Sequence, residues 1–499
     1  MSKQVVLFCP GDYRHIANDN AQASLKAFAD NIANCVTQLG YEPVVLSSFI
    51  TRPNESVKLL NSYKNKAIPK IALITHWVFA THTCDGLYGD NDPLLLASNF
   101  SITKPGLVGL LNTAASLETD QHPSVSRLWS EKADWTTDDS LMKKLAQFLQ
   151  QGNIDYPNEA VPAALTNSTV ASEIAEDIQQ NPIISLLFGD TSMGMINGYL
   201  GRKIMRQAGF VEHKIDQCWL NDKAPTIEQA TIDKAYQWLL DKGVTFHFEE
   251  GFDEESIKLQ LRYYYSVLDY LEEFDADCMG WQYQLGMCNS APPSDFSEGL
   301  LNSPIGPEGR ETPIVCVTEA DEGNLIVQEY MKRILQKKKM HPSTFFHDVR
   351  GAFAYQNKTH WLLLNSGSAG AYSFNHDPHS LQHVHSYCQV KEYMHYPGGT
   401  FAGESLPGEI TWARAWMQSG ELVIVVGQGE VVKLPTELRD QLWEGSNREW
   451  PFMAADLRLS EQQLMAHYLS NHIAVCYGDI KQELIALCQL MRIKCEVWS

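Results

Sequence analysis

Apolar runs that alternate with amphipathic stretches over the first 150 residues predict an open sheet made of β-α-β units. An amphipathic stretch from Ala21 to Leu39 that closes at Gly40 predicts a helix. Strands that alternate with helices in this way favour a parallel sheet. We therefore predict an N-terminal α/β domain over residues 1–152. Its apolar runs, each interpreted as a buried strand, cover residues 5–9, 41–46 and 68–75.

A polar segment without a clear period, residues 153–170, separates this unit from a second one with the same alternation. The segment contains two prolines, which predicts a linker. Beyond it, an apolar run at 183–188 leads into GDTSMG and a predicted helix over 195–208. The GDTSMG turn is either an anion or hydroxyl site at a helix N-terminus or a tight turn whose glycines serve packing. We predict a second α/β domain over residues 171–342.

From about residue 343 the pattern changes to alternating apolar and polar positions, as at 410–416 and 421–426. Such alternation, bounded by turn residues, predicts antiparallel strands. The predicted fold class is therefore α/β with three domains: two open βαβ (Rossmann-like) sheets, then a mainly antiparallel β domain over residues 343–499.

Two carboxylates follow apolar strands in the stretch from 312 to 353. Glu319 comes directly after a predicted strand at 314–317, and Asp348 ends a second short strand. Ligands of open α/β sheets bind at the carboxyl ends of strands. His472 precedes another apolar strand, and one imidazole with two carboxylates suits Mn²⁺ or Mg²⁺. The alternative is that these are solvated acidic side chains of a chain that carries 60 of them. Asp321 is interpreted as a helix N-cap.

Composition narrows the possible classes of function. The chain has 499 residues, more than one core accommodates, and a net charge of −21. That charge argues against nucleic acid or an anionic membrane surface as partner. Eleven cysteines without a CxxC pattern fit reduced, buried thiols. With no apolar run of membrane-spanning length and no signal-peptide pattern at the N-terminus, we expect a cytoplasmic protein.

The densest histidine cluster lies in FNHDPHSLQHVH, which reads as a polar loop. These histidines are either solvated loop residues or contacts to a substrate or a transition metal. The cluster comprises His376, His379, His383 and His385.

Several motifs together resemble the L-fucose isomerase family, within the wider fucose/arabinose isomerase group. VTEADEGN is similar to the family's ATEND turn, and FFHDVRGAF is similar to its FADVR strand. LLLNSGSAG resembles the NSGSA turn, and GDTSMGM resembles GGVSMGI. The segment around SNHIAV resembles the family's histidine-bearing C-terminal strand. The pieces are short, but they occur in the family's order over most of the chain.

The resemblance implies an aldose–ketose isomerase. Its metal ligands correspond to Glu319, Asp348 and His472, with Mn²⁺ as the cation and Mg²⁺ or Co²⁺ as other possibilities. The two carboxylates would carry the proton transfers. The implied partner is a monosaccharide, and the implied assembly is a homo-trimer or homo-hexamer whose active site a neighbouring subunit's N-terminal domain completes. The residues that would contact the sugar are Arg14, Trp77, Gln284 (or Gln282), Trp450 and Asn471.

The sequence departs from the family in features that concern the far end of the sugar. The chain is shorter, the segment after NSGSAG is compressed, and the family's polar tail has no counterpart before Ser499. A family tyrosine in a Gly-Gly-Gly-Tyr turn has no clean equivalent in HYPGGTFAG, where Phe401 or Tyr396 is the candidate replacement. L-fucose and D-arabinose are the expected substrates. The alternatives are an L-arabinose-type isomerase, another metal-dependent sugar enzyme such as an aldolase or epimerase, and a non-catalytic sugar-binding protein on the same scaffold.

Overall fold

The structure is a computed structural model that describes residues 3–100, 106–123 and 125–498. The described residues form two parallel sheets, a larger mixed sheet and a small two-stranded sheet, with helices between them. The predicted α/β class is confirmed, and the division into three domains stays a prediction. None of the described helices combines the length and apolar character needed to cross a bilayer.

The first unit is an open parallel sheet flanked by helices. Its elements are β1 (Gln4–Pro10), α1 (His15–Gln38), β2 (Glu42–Ile50), α2 (Pro53–Leu60), β3 (Lys70–Ile74), α3 (Thr81–Leu87), β4 (Leu94–Asn99), α4 (Gly106–Thr119), β5 (Val125–Ser130) and α5 (Asp139–Gln151). The strand order is β2-β1-β3-β4-β5, and every neighbouring pair is parallel. The central strand β3 is buried along its whole length, as expected for a sheet covered on both faces.

Helix α1 begins at His15, six residues before the predicted start at Ala21. The additional turn keeps the same buried face, because Ala17 lies one helical turn before Ala21 and both are buried. The earlier start places Arg14 at the mouth of the β1–α1 turn, where it reaches the cavity described below.

The second unit also contains a parallel sheet. Its elements, with one short strand from the preceding segment, are β6 (Val161–Pro162), α6 (Thr169–Gln180), β7 (Ile183–Phe188), α7 (Arg202–Gln207), β8 (Phe210–Ile215), α8 (Trp219–Lys223), α9 (Gln229–Lys242), β9 (Thr245–Phe246), α10 (Glu254–Glu273), β10 (Cys278–Trp281), α11 (Asp295–Leu301), β11 (Val315–Thr318) and α12 (Glu322–Lys337). The strand order is β11-β10-β7-β8. Strand β6 lies in the predicted linker and pairs with the last strand of the chain.

The helix predicted over residues 195–208 is wrong in its first half. A single 3₁₀ turn spans Ile196–Gly198, and α7 begins only at Arg202. Gly198 and Gly201 account for the break, since glycine disfavours a helix interior and Gly201 adopts a left-handed φ of 82°.

The third unit is the mixed sheet. Its elements are β12 (Phe345–Tyr355), β13 (Lys358–Leu364), α13 (Tyr372–Asn375), β14 (His385–Ser386), β15 (Gly408–Gln418), β16 (Glu421–Val431), α14 (Thr436–Glu444), β17 (Phe452–Asp456), α15 (Glu461–His467), β18 (His472–Tyr477), α16 (Lys481–Leu490) and β19 (Lys494–Val497). The order is β15-β18-β12-β13-β17-β16-β19-β6, and β15 also pairs with β16. The six strands from β15 to β16 therefore close into an antiparallel ring, and β19 adds to β16 in parallel.

The ring packs between the two parallel units. On one side its Trp412 shares a core with Leu107 and Leu111 of α4. On the other side its Ala413 and Ile424 share a core with residues of α12 and α16. These two cores hold elements from all three units around one cavity.

Candidate active site

Glu319 lies in a turn at the carboxyl end of β11, as predicted. The backbone passes through the left-handed region at Glu319 (φ 61°) and again at Ala320 (φ 51°). Non-glycine residues in that region are strained, by about 1–3 kcal/mol each, and such strain clusters at functional sites. The neighbouring strand contains Gly280, where a Cβ atom would lie 3.0 Å from the Ala320 Cα. The turn is therefore held against β10 by close packing.

Asp348 is not at the end of a short strand, contrary to the prediction. It is the fourth residue of β12, which continues to Tyr355. Strand β18 runs antiparallel beside it, and Asp348 stands directly opposite His472. Side chains of such a cross-strand pair lie on one face of the sheet. The antiparallel register, and not a strand end, brings these two side chains together.

The three predicted ligands meet at the imidazole of His472. Its Nε2 lies 3.4 Å from Oε2 of Glu319 and 3.5 Å from Oδ1 of Asp348. The His472 side chain is 1% exposed, against 11% for Glu319 and 19% for Asp348. The histidine thus forms the floor of the site, and the carboxylates face the open space.

The charges in this cluster depend on one another. Burial raises the pKa of Asp348 to about 6; the imidazole of His472 opposes the shift and the charge of Glu319 adds to it. Burial would lower the pKa of His472, but the hydrogen bond to Asp321 and the nearby carboxylates outweigh burial and raise it to about 9.

Asp321 does more than the predicted capping. Its Oδ1 accepts a hydrogen bond from the backbone N–H of Asn324 at 3.1 Å, which confirms the N-cap of α12. Its Oδ2 accepts hydrogen bonds from Nδ1 of His472 and Nη1 of Arg414, both at 2.6 Å. Burial opposes ionisation, yet Arg414 and His472 hold the pKa of Asp321 well below its usual range. No pattern in the sequence indicated that Arg414, 93 residues away along the chain, contacts Asp321.

A small cavity opens over the carboxylates. Most of the predicted sugar-contact residues line it, although they come from all three units. Asn471 and His472 lie beneath the lining, next to Asp348. The predicted residues in the wall are Arg14, Trp77, Gln284, Glu319, Asp348 and Trp450.

Arg14 and Gln284 join the first and second units at this wall. Arg14 donates from Nη1 to Oε1 of Gln284 at 2.7 Å and forms a bidentate pair with Asp12. Its guanidinium also lies 4.4 Å from the ring centroid of Tyr393. Gln282, the alternative to Gln284, does not line this cavity; it accepts a hydrogen bond from the backbone of Asp190 instead.

Some buried polar atoms around the carboxylates have no hydrogen-bond partner among the described residues. Nε1 of Trp77 and Oδ1 of Asn471 are two of them. Trp450, by contrast, donates its indole N–H to Oε1 of Gln389 at 2.7 Å, which fixes the ring. Buried polar groups are normally hydrogen-bonded, so orphaned ones beside a cavity indicate a polar ligand.

Sequence reasoning missed Arg350. It sits at a β-bulge where the register of β12 against β13 shifts between Val349 and Gly351. A bulge of this kind re-aims a side chain, and Arg350 lines the cavity while donating to Oδ1 of Asn447 at 3.1 Å. The sequence did contain one indication: in the strand FFHDVR, Arg350 follows Asp348 by two residues, which places both side chains on the same face.

The GDTSMG turn serves packing around the site. The Ser192 backbone N–H donates to the Glu319 carbonyl oxygen at 3.2 Å, and its hydroxyl donates to the Gln284 carbonyl oxygen at 3.1 Å. Gly194 has a left-handed φ of 73°, and a Cβ atom there would meet Phe79. Met193 supplies an apolar part of the cavity wall.

The four histidines of the FNHDPHSLQHVH segment lie in different surroundings. His376 packs against Tyr477, with ring centroids 4.3 Å apart. His385 instead lies 2.9 Å from His247, measured between ring nitrogens. His379 and His383 are exposed. The cluster therefore forms no common site.

Neither candidate for the family tyrosine lines the cavity. Phe401 is fully buried in a core, and Tyr396 is 42% exposed. Tyr393 and Met394 line the wall in this region.

The donor set of Glu319, Asp348 and His472 fits a divalent cation in chemistry. Within the described ranges no group of three His, Cys, Asp or Glu side chains is already arranged to hold an ion. Yet two donors about 2.1 Å from one ion, at about 90–110°, are about 3.0–3.4 Å apart. The separations of 3.4 and 3.5 Å from His472 Nε2 are close to these values. Each carboxylate is therefore within reach of an ion bound at Nε2 of His472.

Comparison with known proteins points to one family. The model of the family described as "L-fucose isomerase, C-terminal domain" matches residues 363–499, a range that contains Trp450, Asn471 and His472. An L-fucose isomerase of Vibrio vulnificus is 25% identical over 43% of this chain and 43% of its own length. One from Haemophilus influenzae is 25% identical over 46% of this chain and 45% of its own length. The match spans less than half the length of these relatives, and the predicted family resemblance is confirmed.

Proposed function

We propose that this chain, a member of the L-fucose isomerase family, is a metal-dependent aldose–ketose isomerase. The observation that carries the proposal is the meeting of Glu319, Asp348 and His472 beneath a cavity with orphaned polar groups. L-fucose and D-arabinose are the proposed substrates. An L-arabinose-type isomerase is the alternative within the same reaction class.

The reaction moves a proton from C2 to C1 and the hydroxyl proton from O2 to O1 of an open-chain aldose, and it passes through an enediol. Mn²⁺, or Mg²⁺ or Co²⁺, held by Glu319, Asp348 and His472 would supply Lewis-acid polarisation of the two sugar oxygens. One of the two carboxylates takes the C2 proton, and the other handles the transfer on the opposite side.

The cavity wall binds and orients the sugar. The indole N–H of Trp77 and the amide oxygen of Asn471 would form hydrogen bonds with sugar hydroxyls, because neither atom has a partner among the described residues. Trp450 offers an apolar face to sugar C–H groups. Arg14 and Gln284, already hydrogen-bonded to each other, would hold one end of the chain in place. Orientation of this kind lowers the entropic part of the barrier.

We also propose a cytoplasmic homo-oligomer, a trimer or a hexamer, with the three-domain division 1–152, 171–342 and 343–499. Trp77 of the same chain lines the cavity. A neighbouring subunit would therefore close the cavity from outside and not supply this tryptophan. Light scattering during dilution, run alongside an activity assay, tests whether activity depends on the oligomer. Equal specific activity of monomer and oligomer would contradict a role for the neighbouring subunit.

Proton NMR in D₂O with Mn²⁺ and a panel of aldoses and ketoses tests the function. The expected result is appearance of the ketose with deuterium incorporated next to the carbonyl. Sugar binding without exchange would indicate a binding protein. Cleavage would indicate an aldolase, and inversion at C2 alone an epimerase. Conversion of L-arabinose in preference to L-fucose and D-arabinose would favour the alternative isomerase.

A further inference from the structure

We infer that Asp321 and Arg414 form a buried brace that fixes His472 with its Nε2 toward Glu319 and Asp348. Both are positioning residues, because neither lines the cavity. The inference rests on the proposed function, in which His472 is a metal ligand, and it adds two residues outside the ligand set.

Three donors fix the carboxylate of Asp321. One oxygen accepts from the backbone N–H of Asn324 at 3.1 Å, and the other accepts from His472 and Arg414, each at 2.6 Å. The side chains of Asp321, His472 and Arg414 are each at most 1% exposed. A carboxylate held at both oxygens inside the protein has little freedom to rotate, so it defines the position of the imidazole.

The brace determines which ring nitrogen is available. Because Nδ1 of His472 is engaged by Asp321, only Nε2 faces Glu319 and Asp348. A metal-ligating histidine commonly donates its second ring N–H to a carboxylate, which fixes the tautomer and the ring orientation. Here the carboxylate is anchored in turn to the first turn of α12 and to strand β15.

A gain in stability does not explain why Arg414 is buried here. Its Nε and Nη2 atoms have no hydrogen-bond partner within the part of the chain that the structure describes. A buried ion pair is weak evidence for a gain in stability, since apolar side chains of similar size often serve as well. A guanidinium that holds the carboxylate of Asp321 in place, at 2.6 Å, accounts for the presence of Arg414.

The first turn of α12 lies very close to strand β15. At Gly323 a Cβ atom would lie 2.4 Å from the carbonyl oxygen of Ala415 and 2.9 Å from Cζ of Arg414. Glycine is disfavoured inside a helix relative to alanine. Its presence here is explained by the close approach of β15, which brings the backbone of Ala415 and the guanidinium of Arg414 against the helix.

The test is Mn²⁺ binding by isothermal titration calorimetry to full-length protein stripped with a chelator. Asp321→Asn keeps a good N-cap residue and removes the charge that His472 and Arg414 share. We expect its Mn²⁺ affinity to fall about 10–100-fold, the usual effect of losing such a partner. The matched control is Asp253→Asn, at the N-cap of α10, which should bind Mn²⁺ as the wild type does.

Arg414 provides a second, independent comparison that does not depend on the folding of Asp321→Asn. We expect Arg414→Gln to weaken Mn²⁺ binding, and Arg414→Lys, which keeps the charge, to retain more of it. Circular dichroism confirms that each variant compared is folded.

The outcomes separate the inference from the proposed function. Wild-type protein that binds no Mn²⁺ overturns both. Wild-type protein that binds Mn²⁺ while folded Asp321→Asn, or Arg414→Gln, binds it within twofold overturns the inference alone. Selective loss in these variants, with Asp253→Asn unaffected, supports it.

Discussion

At the scale of single residues, chemistry depends on what surrounds each carboxyl group. Asp348 is partly buried next to Glu319 and opposite His472, and burial raises its pKa to about 6. Glu319 is held by a strained turn in direct reach of the same imidazole. Two carboxylates in different settings beside one histidine are suited to sharing proton transfers in one reaction.

Replacing either carboxylate with its amide should therefore abolish most turnover while leaving the fold intact. For Glu319→Gln and for Asp348→Asn we expect aldose–ketose turnover to fall by roughly a hundredfold or more, the low end of one acid/base contribution. Steady-state rates with circular dichroism as the folding check provide the measurement. Near-normal turnover in either folded variant would remove that residue from the chemistry.

The orphaned indole N–H of Trp77 predicts a specific binding defect. Trp77→Phe keeps an aromatic face and removes the donor, so KM should rise by about 2–12-fold, as for the loss of one neutral hydrogen bond. The matched control is Trp135→Phe. Its indole N–H likewise has no partner among the described residues, but it lies in the core under α1. Equal KM values for wild type and Trp77→Phe would exclude Trp77 as a donor to the sugar.

At the scale of elements, the site depends on how closely neighbouring elements approach. Helix α4 packs against the end of β3, where a Cβ atom at Gly109 would lie 2.5 Å from the carbonyl oxygen of His76. His76 immediately precedes Trp77. The absence of a side chain at Gly109 thus sets the position of a cavity wall.

Adding that Cβ atom should move the wall. Gly109→Ala is expected to destabilise the protein by about 1–3 kcal/mol, as overpacking does, and to raise KM because Trp77 shifts. Urea unfolding and steady-state kinetics measure the two effects. As a control, Gly40→Ala has no atom within 4 Å of its added Cβ but carries backbone strain at φ 84°; it should cost stability without raising KM. A Gly109→Ala variant with wild-type stability and KM would contradict the account.

Sequence patterns predicted some elements well for physical reasons. The strand before Glu319 and most of helix α1 follow from an apolar run and an amphipathic period that are local in sequence. The setting of Asp348 was predicted wrongly, because register between antiparallel strands depends on a partner 124 residues away. Arg414 was missed for the same reason: its function depends on a neighbour in space.

At the scale of the whole molecule, the cavity exists because three sheets converge. Two shared cores fasten the antiparallel ring to both parallel units. The family resemblance predicted which residues would meet, and the hydrophobic pattern predicted the α/β class. Neither predicted that β6, within the expected linker, would extend the third sheet, since two residues carry no periodicity.

The free energy of unfolding should depend on the protonation of Glu298, a buried carboxyl group behind the site. Glu298 of α11 is fully buried next to Asp295 and accepts a hydrogen bond from the hydroxyl of Thr318 at 2.5 Å. Burial first, and then the charge of Asp295, raises the pKa of Glu298 to about 8 from an ordinary 4.5. The folded state therefore keeps a proton that the unfolded state releases, so the contribution of Glu298 to stability is lost as pH rises from about 4.5 to about 8.

Glu298→Gln should remove this part of the pH dependence and keep an acceptor for Thr318. We expect the variant to lose less stability than the wild type between pH 5 and pH 8. Urea unfolding with a chelator present, which excludes effects of bound metal, makes the comparison. Parallel losses in the two proteins would show that Glu298 does not titrate as described.

The most direct test of the central claim is the rate at which chelator-treated protein converts L-fucose and D-arabinose to their ketoses before and after Mn²⁺ is added. We expect no measurable conversion by the stripped protein and restored turnover once Mn²⁺ is added. Turnover that persists under the chelator would contradict the metal mechanism. Absence of turnover for every aldose tested, with Mn²⁺ present, would contradict the isomerase itself.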